Sequence, residues 1–277
     1  MTVPYFYKNS NSRFLSIEGE DSPEFLQNLI TNDINKCTKD NFLYSCLLTP
    51  QGKFISDFFI FRNDENYLIE IHSFFYKKLL KKLNLYKLRS KVLINEMNRF
   101  YSYSVFGDLQ KDNNTIIYNN DPRNINIGNK LIHQRKNPEI LDAFNEIDEK
   151  KYHEILIQNI VPLSHYDLEE NKSLLLENNF ENLNSISWDK GCYVGQEITA
   201  RMKYRALLKK RIYSLKVKQG TPQVEQSIKD DEGNYGKIIC IENNSILAML
   251  KIELAERKIN VQQQIETNEG LILEFNV

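Results

Sequence analysis

The chain has 277 residues, which is too long for one small core and suits two or three sub-domains. Hydrophobic residues make up 41% and charged residues 26%, with only 10 Gly and 7 Pro, so long disordered stretches are excluded. The 36 basic and 37 acidic residues give a net charge of −1. A general nucleic-acid binder carries a basic excess, so any RNA binding would depend on a local patch.

The start of the sequence, "MTVPYFYKNSNSRF", lacks the apolar region of a secretory signal, and no apolar run approaches the ~20 residues of a membrane helix. The cysteines are far apart, without a CxxC pair, and the four histidines form no ligand pair. The cysteines are Cys37, Cys46, Cys192 and Cys240. We therefore expect a cytoplasmic monomer with reduced thiols, no membrane partner and no stably bound metal.

The first hundred residues alternate between strand and helix patterns. Strands are predicted over 13–19, on both sides of "TPQG" within 41–62, over 66–72, and in 90–97 and 100–107. Helices are predicted over 21–34, with Ser22 as a possible N-cap and Pro23 in the first turn, and over 73–88, with its lysines outward. This order indicates an α+β fold with helices packed on antiparallel sheets.

The rest of the chain divides into a helical and a strand-rich part. Residues 107–130 are turn-rich with one strand at 115–118, and helix periodicity follows over 137–160 and 173–186. After Arg211, short strands are predicted over 211–217, 234–242, 245–254, 258–265 and 271–277, which indicates a small C-terminal β-barrel or sandwich. We predict sub-domains at 1–106, 107–206 and 207–277.

The segment "WDKGCYVGQEITARM", residues 188–202, surrounds one cysteine with features of a reactive thiol. Gly191 and Gly195 permit unusual backbone conformations beside Cys192, and Lys190 and Arg201 make its setting electropositive, which favours a thiolate. Gln196 and Glu197 open a predicted helix whose N-terminus would stabilise an anion. Buried filler remains an equal alternative for Cys192, and no His lies close enough in sequence to act as its base.

The motif "KGCYVGQE", followed by "ARMKYRALLKKRI", resembles the defining motif of the YgfZ-type folate-binding proteins, relatives of the glycine-cleavage T-protein. The segments "FLSIEGEDSPEFLQNLITNDI", "LLTPQGKFISDFFIF", "DPRNINIGNKLI" and "YGKIICIENNSILAMLKIE" are similar to the family in the same order. The resemblance implies a T-protein-like fold of several sub-domains around a tetrahydrofolate cavity, plus a C-terminal barrel. It also implies a role in assembling or repairing iron–sulfur clusters, including those of enzymes that modify tRNA. Partners would be folate and iron–sulfur enzymes or cluster-assembly proteins, with tRNA involved only indirectly.

By this resemblance, Cys192 matches the family's essential thiol, and Lys190, Gly191, Gln196 and Glu197 match its invariant residues around the folate. We add Arg201 to this folate-binding set because of its charge. Gln158 falls where the T-protein branch has the acidic residue that holds the pterin, and an amide accepts hydrogen bonds only on its oxygen. Glu177 falls where the family often has a Glu.

Three further residues have two interpretations each. Asp57 falls in the T-protein's catalytic Asp pair, of which the first member is Ser56 here, so it is predicted as a catalytic carboxylate or as an ordinary strand residue. Asn32 and Asp33 either line the folate cavity or cap a helix end.

Two other functions remain open from the sequence. One is a tetrahydrofolate-dependent aminomethyltransferase like the T-protein. The other is an RNA- or partner-binding module without folate, indicated by the basic run over 201–211.

Overall fold

The chain is described for residues 3–205 and 207–276 from a computed structural model. Within these ranges the strands are β1 Tyr5–Lys8, β2 Ser12–Glu18, β3 Leu43–Leu48, β4 Phe54–Asn63, β5 Asn66–His72, β6 Leu93–Met97, β7 Tyr101–Phe106, β8 Thr115–Asn120, β9 Asn129–His133, β10 Asn145–Glu146, β11 Lys210–Gln219, β12 Ser227–Asp230, β13 Gly233–Glu242, β14 Ser245–Lys251, β15 Ile265–Glu266 and β16 Ile272–Phe275. The helices in the same ranges are α1 Ser22–Leu29, α2 Ser73–Lys87, α3 Glu149–Gln158, α4 Ser164–Asp167, α5 Gln196–Tyr204 and α6 Ile252–Asn260.

The strands of the described residues form three sheets. Their orders are β3-β4-β5-β2-β6 in the first, β10-β1-β7-β9-β8 in the second and β12-β13-β14-β11-β16-β15 in the third. Pairing is antiparallel except between β1 and β10. Strand β1 joins the second sheet, where Tyr5 pairs with Phe106, while β2 joins the first. The start of the chain therefore ties these two sheets together.

One large apolar core joins the first two sheets to the helices. It runs along the chain from Phe14 to Met202 and takes residues from both sheets. Helix α2 contributes Phe75, Leu79 and Leu83, which recur every fourth residue and so lie on one helical face. Loops that emerge from this shared core are consequently held in fixed positions relative to each other.

The third sheet is nearly closed and resembles a barrel around its own core, which includes Leu215, Ile238 and Leu250. A smaller apolar cluster of Ile157, Cys240 and Leu247 joins α3 to this barrel. The α+β fold with antiparallel sheets, packed helices and a C-terminal barrel is confirmed.

Several predicted elements differ from the structure. The helix predicted over 137–160 is reduced to α3, because the Asp148 side chain caps its start by accepting from the Lys151 backbone N–H. The helix predicted over 173–186 is a single 3₁₀ turn at Leu176–Asn178, since Asn179 and Asn184 take left-handed φ values of 68° and 54°.

In the C-terminal part, the strand predicted over 258–265 is wrong for most of its length. Helix α6 covers its first residues because Leu254, Ala255 and Ile259 pack as a helical face on the barrel core. Of the strand predicted over 271–277, Val277 lies outside the described residues, as does Ala206 at the predicted domain boundary. The boundaries after 106 and 206 stay a prediction. Among the described residues, no helix is long and apolar enough to cross a bilayer.

Candidate functional site

Residues 189–195, which we call the thiol loop, lead into α5 and present Cys192 to solvent. Of the four cysteines, all of which lie in the described ranges, Cys192 is exposed and the other three are buried. Burial raises the pKa of the Cys37 thiol to about 12 and also raises the pKa values of Cys46 and Cys240. Cys192 is therefore the thiol that can meet another molecule without unfolding.

The Lys190 side chain anchors the thiol loop to the end of α1. Its ammonium is buried and donates to the backbone carbonyls of Gln27, Ile30 and Asn32 at 2.7, 2.7 and 2.8 Å. The Val194 backbone N–H adds a bond to the Asn28 carbonyl at 3.2 Å. Carbonyls in the last turn of a helix lack intrahelical donors, and the N–H groups of Lys190 and Val194 serve as those donors. Burial lowers the pKa of Lys190 to about 8, against an opposing pull from Asp33.

The two glycines of the motif have different roles. Gly195 has φ of 85°, and a Cβ there would lie 2.5 Å from the Thr49 carbonyl oxygen. Gly52, at the tip of the β3–β4 hairpin, has φ of 67°, and its Cβ would lie 2.9 Å from the Ile198 Cβ. The β3–β4 hairpin and the start of α5 are thus in direct contact through the backbones of Gly52 and Gly195. Gly191 has no positive φ, and a Cβ there would meet nothing within 4 Å.

The remaining motif residues lie on α5. Gln196 begins the helix with its backbone N–H bonded to the Tyr193 carbonyl, which confirms the predicted helix opening. Glu197 lies in the first turn and Arg201 in the last, and both are exposed. Trp188, before the loop, donates its indole N–H to Glu181 at 3.1 Å and packs under the Lys203 ammonium.

A cavity of about 130 Å³ lies between the first sheet, the second sheet and α3. Asp57 lines it from β4, where its Oδ2 accepts a hydrogen bond from the Tyr44 hydroxyl at 2.5 Å. The stacked rings of Tyr7 and Tyr152, with centroids 4.4 Å apart, form part of another wall. The cavity therefore combines flat apolar faces with an anchored carboxylate.

Two buried ion pairs and a histidine pair complete the lining. The Arg123 guanidinium binds both carboxylate oxygens of Asp121 at 2.9 and 2.8 Å, and Lys130 lies 2.9 Å from Glu70 with both side chains 4% exposed. The rings of His72 and His165 stack at 3.8 Å.

Burial lowers the pKa of His165 to about 4, with His72 and His153 adding to the effect. Burial also lowers the pKa of His72. Both shifts favour the uncharged form of these two histidines.

The predicted site residues do not gather at one place. Asp57 lies in the cavity, and Cys192, Lys190, Gly191, Gln196, Glu197 and Arg201 lie in or after the thiol loop, outside the cavity lining. Gln158 is exposed on α3, where its amide donates to the Ser245 hydroxyl at 3.3 Å, and Glu177 lies 3.6 Å from the Lys210 ammonium near the barrel. Neither side chain reaches the cavity.

Neither Asn32 nor Asp33 lines the cavity, but Asn32 contacts both regions. Asp33 caps the 3₁₀ turn Ile34–Lys36 by accepting from the Asn35 backbone N–H. The buried Asn32 amide donates to the Tyr44 carbonyl at 2.9 Å, while the Asn32 carbonyl accepts from Lys190. A continuous set of contacts thus runs from the thiol loop through Asn32 and Tyr44 to Asp57 in the cavity.

Several lining residues carry no sequence motif that marks them. Arg123 and Lys130 belong to the "DPRNINIGNKLI" segment, which gave family resemblance but no role, and Glu70 and Tyr152 lie in ordinary strand and helix patterns. His72 and His165 are far apart in sequence and meet only through the fold.

Comparison with known proteins shows which class of protein shares this fold. Residues 8–106 match the family model described as the GCVT N-terminal domain. The glycine cleavage system aminomethyltransferase T from Bartonella henselae has the same fold, with a TM-score of 0.73 at 10% identity over 98% of this chain and 84% of that chain. This protein therefore has a GcvT-like N-terminal domain within an aminomethyltransferase-like fold.

Proteins similar in sequence to this chain have a more specific description than the fold match. The chain is 30% identical over 228 residues to the mitochondrial iron–sulfur cluster assembly factor IBA57 homolog of Neurospora crassa. The matched region covers 74% of this chain and 52% of that protein. Mitochondrial IBA57 of Mus musculus and of Homo sapiens are 26% and 27% identical over 74% and 73% of this chain. The chain spans 64% of the mouse protein and 63% of the human one. The narrower YgfZ-type assignment stays a prediction.

The expected cytoplasmic location is wrong by this comparison, since these relatives are mitochondrial proteins. The expectation depended on unpaired cysteines and on the lack of a secretory signal. Both features separate secreted from non-secreted proteins, but they do not distinguish one reducing compartment from another.

Proposed function

We propose that this protein is an accessory factor for the assembly or repair of iron–sulfur clusters, with Cys192 as the working thiol. The observation that carries the proposal is the anchored thiol loop, in which Lys190 and the Gly195–Gly52 contact hold one exposed cysteine on a rigid base. The similarity to iron–sulfur cluster assembly factors of fungi and mammals supports the same role.

A single thiol limits what Cys192 does in this role. Protein-bound clusters usually take four thiolate ligands, so a cluster handled here would take its other ligands from a partner protein. The exposed position of Cys192 suits a shared ligand or a transient bond, because a partner can approach it without opening the core. We include enzymes that modify tRNA among the clients, supported by the motif resemblance alone.

We further propose that the cavity binds the pterin end of tetrahydrofolate. The Asp57 carboxylate lines it and suits the amino and ring N–H groups of a pterin, which donate hydrogen bonds. The cavity volume of about 130 Å³ is below the ~300 Å³ of the smallest usual ligand pockets, so it suits the ring system with the tail outside. The contacts from Asp57 through Tyr44 and Asn32 to Lys190 would couple a filled cavity to the thiol loop. The thiol-loop and α5 residues lie outside the cavity lining, so their predicted folate contacts would be with the tail outside the cavity and not with the pterin ring.

The thiol role is tested by complementation. A host strain that lacks its own IBA57-type factor would receive the wild-type chain, Cys192→Ser or the buried-thiol control Cys37→Ser. We expect wild type and Cys37→Ser to restore the activity of [4Fe–4S] enzymes and Cys192→Ser to fail at equal protein level. Full restoration of [4Fe–4S] enzyme activity by Cys192→Ser would contradict the proposed role of this thiol.

The folate role is tested separately by anaerobic calorimetric titration with tetrahydrofolate. We expect one-to-one binding in the micromolar range, weakened roughly tenfold or more in Asp57→Asn, which loses a charged acceptor worth about 1.5–3 kcal/mol. Cys192→Ser should bind like wild type because its side chain lies outside the cavity. Absence of saturable binding to wild type would remove folate from the proposal and leave the thiol role untouched.

A second candidate is an aminomethyltransferase, which the anchored Asp57 in the cavity favours. A carboxylate at that position could hold a proton near the folate during transfer. Release of methylene-tetrahydrofolate from an aminomethyl donor, lost in Asp57→Asn, would support it, and absence of turnover by folate-loaded protein would exclude it.

A further inference from the structure

Three side chains that commonly bind metals meet where α3 and α4 face the barrel. They are His153 of α3, Asp167 of α4 and Cys240 of β13, and one donor atom from each lies within 4.8 Å of the others. The sequence places them far apart and without a metal-binding motif, so only the fold brings them together.

The surroundings of this group are apolar on one side and polar on the other. Cys240 is 8% exposed and packs with Ile157 and Leu247 in the cluster that joins α3 to the barrel. The Asp167 carboxylate is held by the Leu163 backbone N–H, which donates to Oδ2 at 2.7 Å. The Asp167 side chain also shares a hydrogen bond with the Cys240 thiol, so a metal ion would take the place of the thiol proton between them.

The two nitrogens of His153 have different environments. Nδ1 lies 3.4 Å from the Glu242 carboxylate, whereas Nε2 is buried and has no hydrogen-bond partner among the described residues. Histidines that bind metals typically donate one ring N–H to a carboxylate and coordinate through the other nitrogen. The Glu242 carboxylate lies beside Nδ1 and can take the first of these roles, which leaves Nε2 for the second.

We propose that His153, Asp167 and Cys240 bind one divalent zinc ion, with Glu242 orienting the His153 ring. Thiolate, imidazole and carboxylate together form a donor set of zinc, which takes four tetrahedral ligands at about 2.0–2.3 Å. Such a site brings its donors to about 3.5 Å from each other, a closing of about 1 Å that side-chain torsions can supply. Water is the fourth ligand, and on binding the Cys240 thiol gives its proton to solvent.

The ion would fasten the middle of the chain to the barrel. His153 and Asp167 belong to helices beside the cavity, and Cys240 belongs to the barrel. One ion would therefore add to an interface that already holds the cluster of Ile157, Cys240 and Leu247 and the hydrogen bond from Gln158 to Ser245. This inference does not depend on the proposed cluster-assembly role.

The test uses Co²⁺ as a spectroscopic substitute for zinc, on the full chain carrying Cys192→Ser so that the exposed thiol cannot bind the metal. We expect one equivalent of Co²⁺ to produce thiolate-to-cobalt charge-transfer absorption in the near ultraviolet, which zinc then removes. Adding Cys240→Ser should abolish this band, and Asp167→Asn should weaken binding at least tenfold. Adding Cys37→Ser, the matched buried-thiol control, should leave the band unchanged.

Thermal unfolding gives a second readout that needs no thiolate band. Zinc should raise the melting temperature of the Cys192→Ser protein, and it should raise that of the Asp167→Asn double variant by clearly less at the same zinc concentration. The proposal is overturned if the Cys192→Ser protein gives no thiolate band, or if the band persists when Cys240 is replaced. Equal stabilisation by zinc with and without Asp167→Asn would also overturn it.

Discussion

Replacing Lys190 by Met tests whether the thiol loop is anchored as the structure indicates. Methionine keeps most of the apolar stem but removes the ammonium that binds the carbonyls of Gln27, Ile30 and Asn32. The carbonyls then lie buried beneath a side chain that cannot donate to them. We expect a loss of stability and a loosened loop around Cys192.

The magnitude follows from two opposing contributions. Three buried acceptors that lose their donor cost roughly 2 kcal/mol each, or about 6 kcal/mol together. Removing a buried charge returns part of this, because the lowering of the Lys190 pKa from 10.5 to about 8 corresponds to roughly 3 kcal/mol. The net destabilisation is about 3 kcal/mol, which lowers the melting temperature of a chain of this size by roughly 6–12 °C.

Thermal and urea unfolding of Lys190→Met beside wild type measure this effect, with the exposed Lys209→Met as the matched control. The control should differ from wild type by less than about 0.5 kcal/mol, as surface substitutions usually do. A stability of Lys190→Met within the same range would refute the anchoring role. It would then leave the thiol loop without a demonstrated attachment to α1.

Two further predictions concern a glycine pair and a histidine. Gly195→Ala should destabilise the chain by about 2–4 kcal/mol in urea unfolding, because the φ of Gly195 is 85° and the new Cβ would lie 2.5 Å from a carbonyl oxygen. Gly191→Ala should change the free energy of unfolding by less than about 1 kcal/mol, because nothing lies within 4 Å of its Cβ. Similar losses of stability in both variants would contradict this prediction. His165 has its pKa lowered to about 4 by burial, so the unfolded chain takes up the proton first and stability falls as the pH drops from about 6.5 towards 4. His165→Phe keeps a ring stacked on His72. Between pH 6.5 and 4, this variant should lose about 1–2 kcal/mol less unfolding free energy than wild type, a value reduced to allow for the partial exposure of His165. An unchanged pH dependence of stability would show that other groups titrate instead.

The sequence by itself determined the fold class and the position of the thiol. Alternating strands and amphipathic helices predicted α+β layers and a C-terminal barrel, because periodicity reports which face of an element is buried. The flanking glycines and charges of "KGCYVGQE" marked Cys192 before any contact was known. The helices predicted over 137–160 and 173–186 were wrong for most of their length. Asp148 caps the start of α3 and so excludes the residues before it, and the left-handed Asn179 and Asn184 interrupt the second helix.

Only the tertiary structure decided what the side chains do. Lys190 looked like a charge that would activate the thiol, yet its ammonium is directed at the end of α1, a partner more than 150 residues earlier in the chain. Gly191 and Gly195 look equivalent in sequence, but only the second is constrained by a neighbouring hairpin. The cavity around Asp57 and the group at Cys240 combine residues from separate elements, and such groups are set by three-dimensional packing, which periodicity along one chain does not encode.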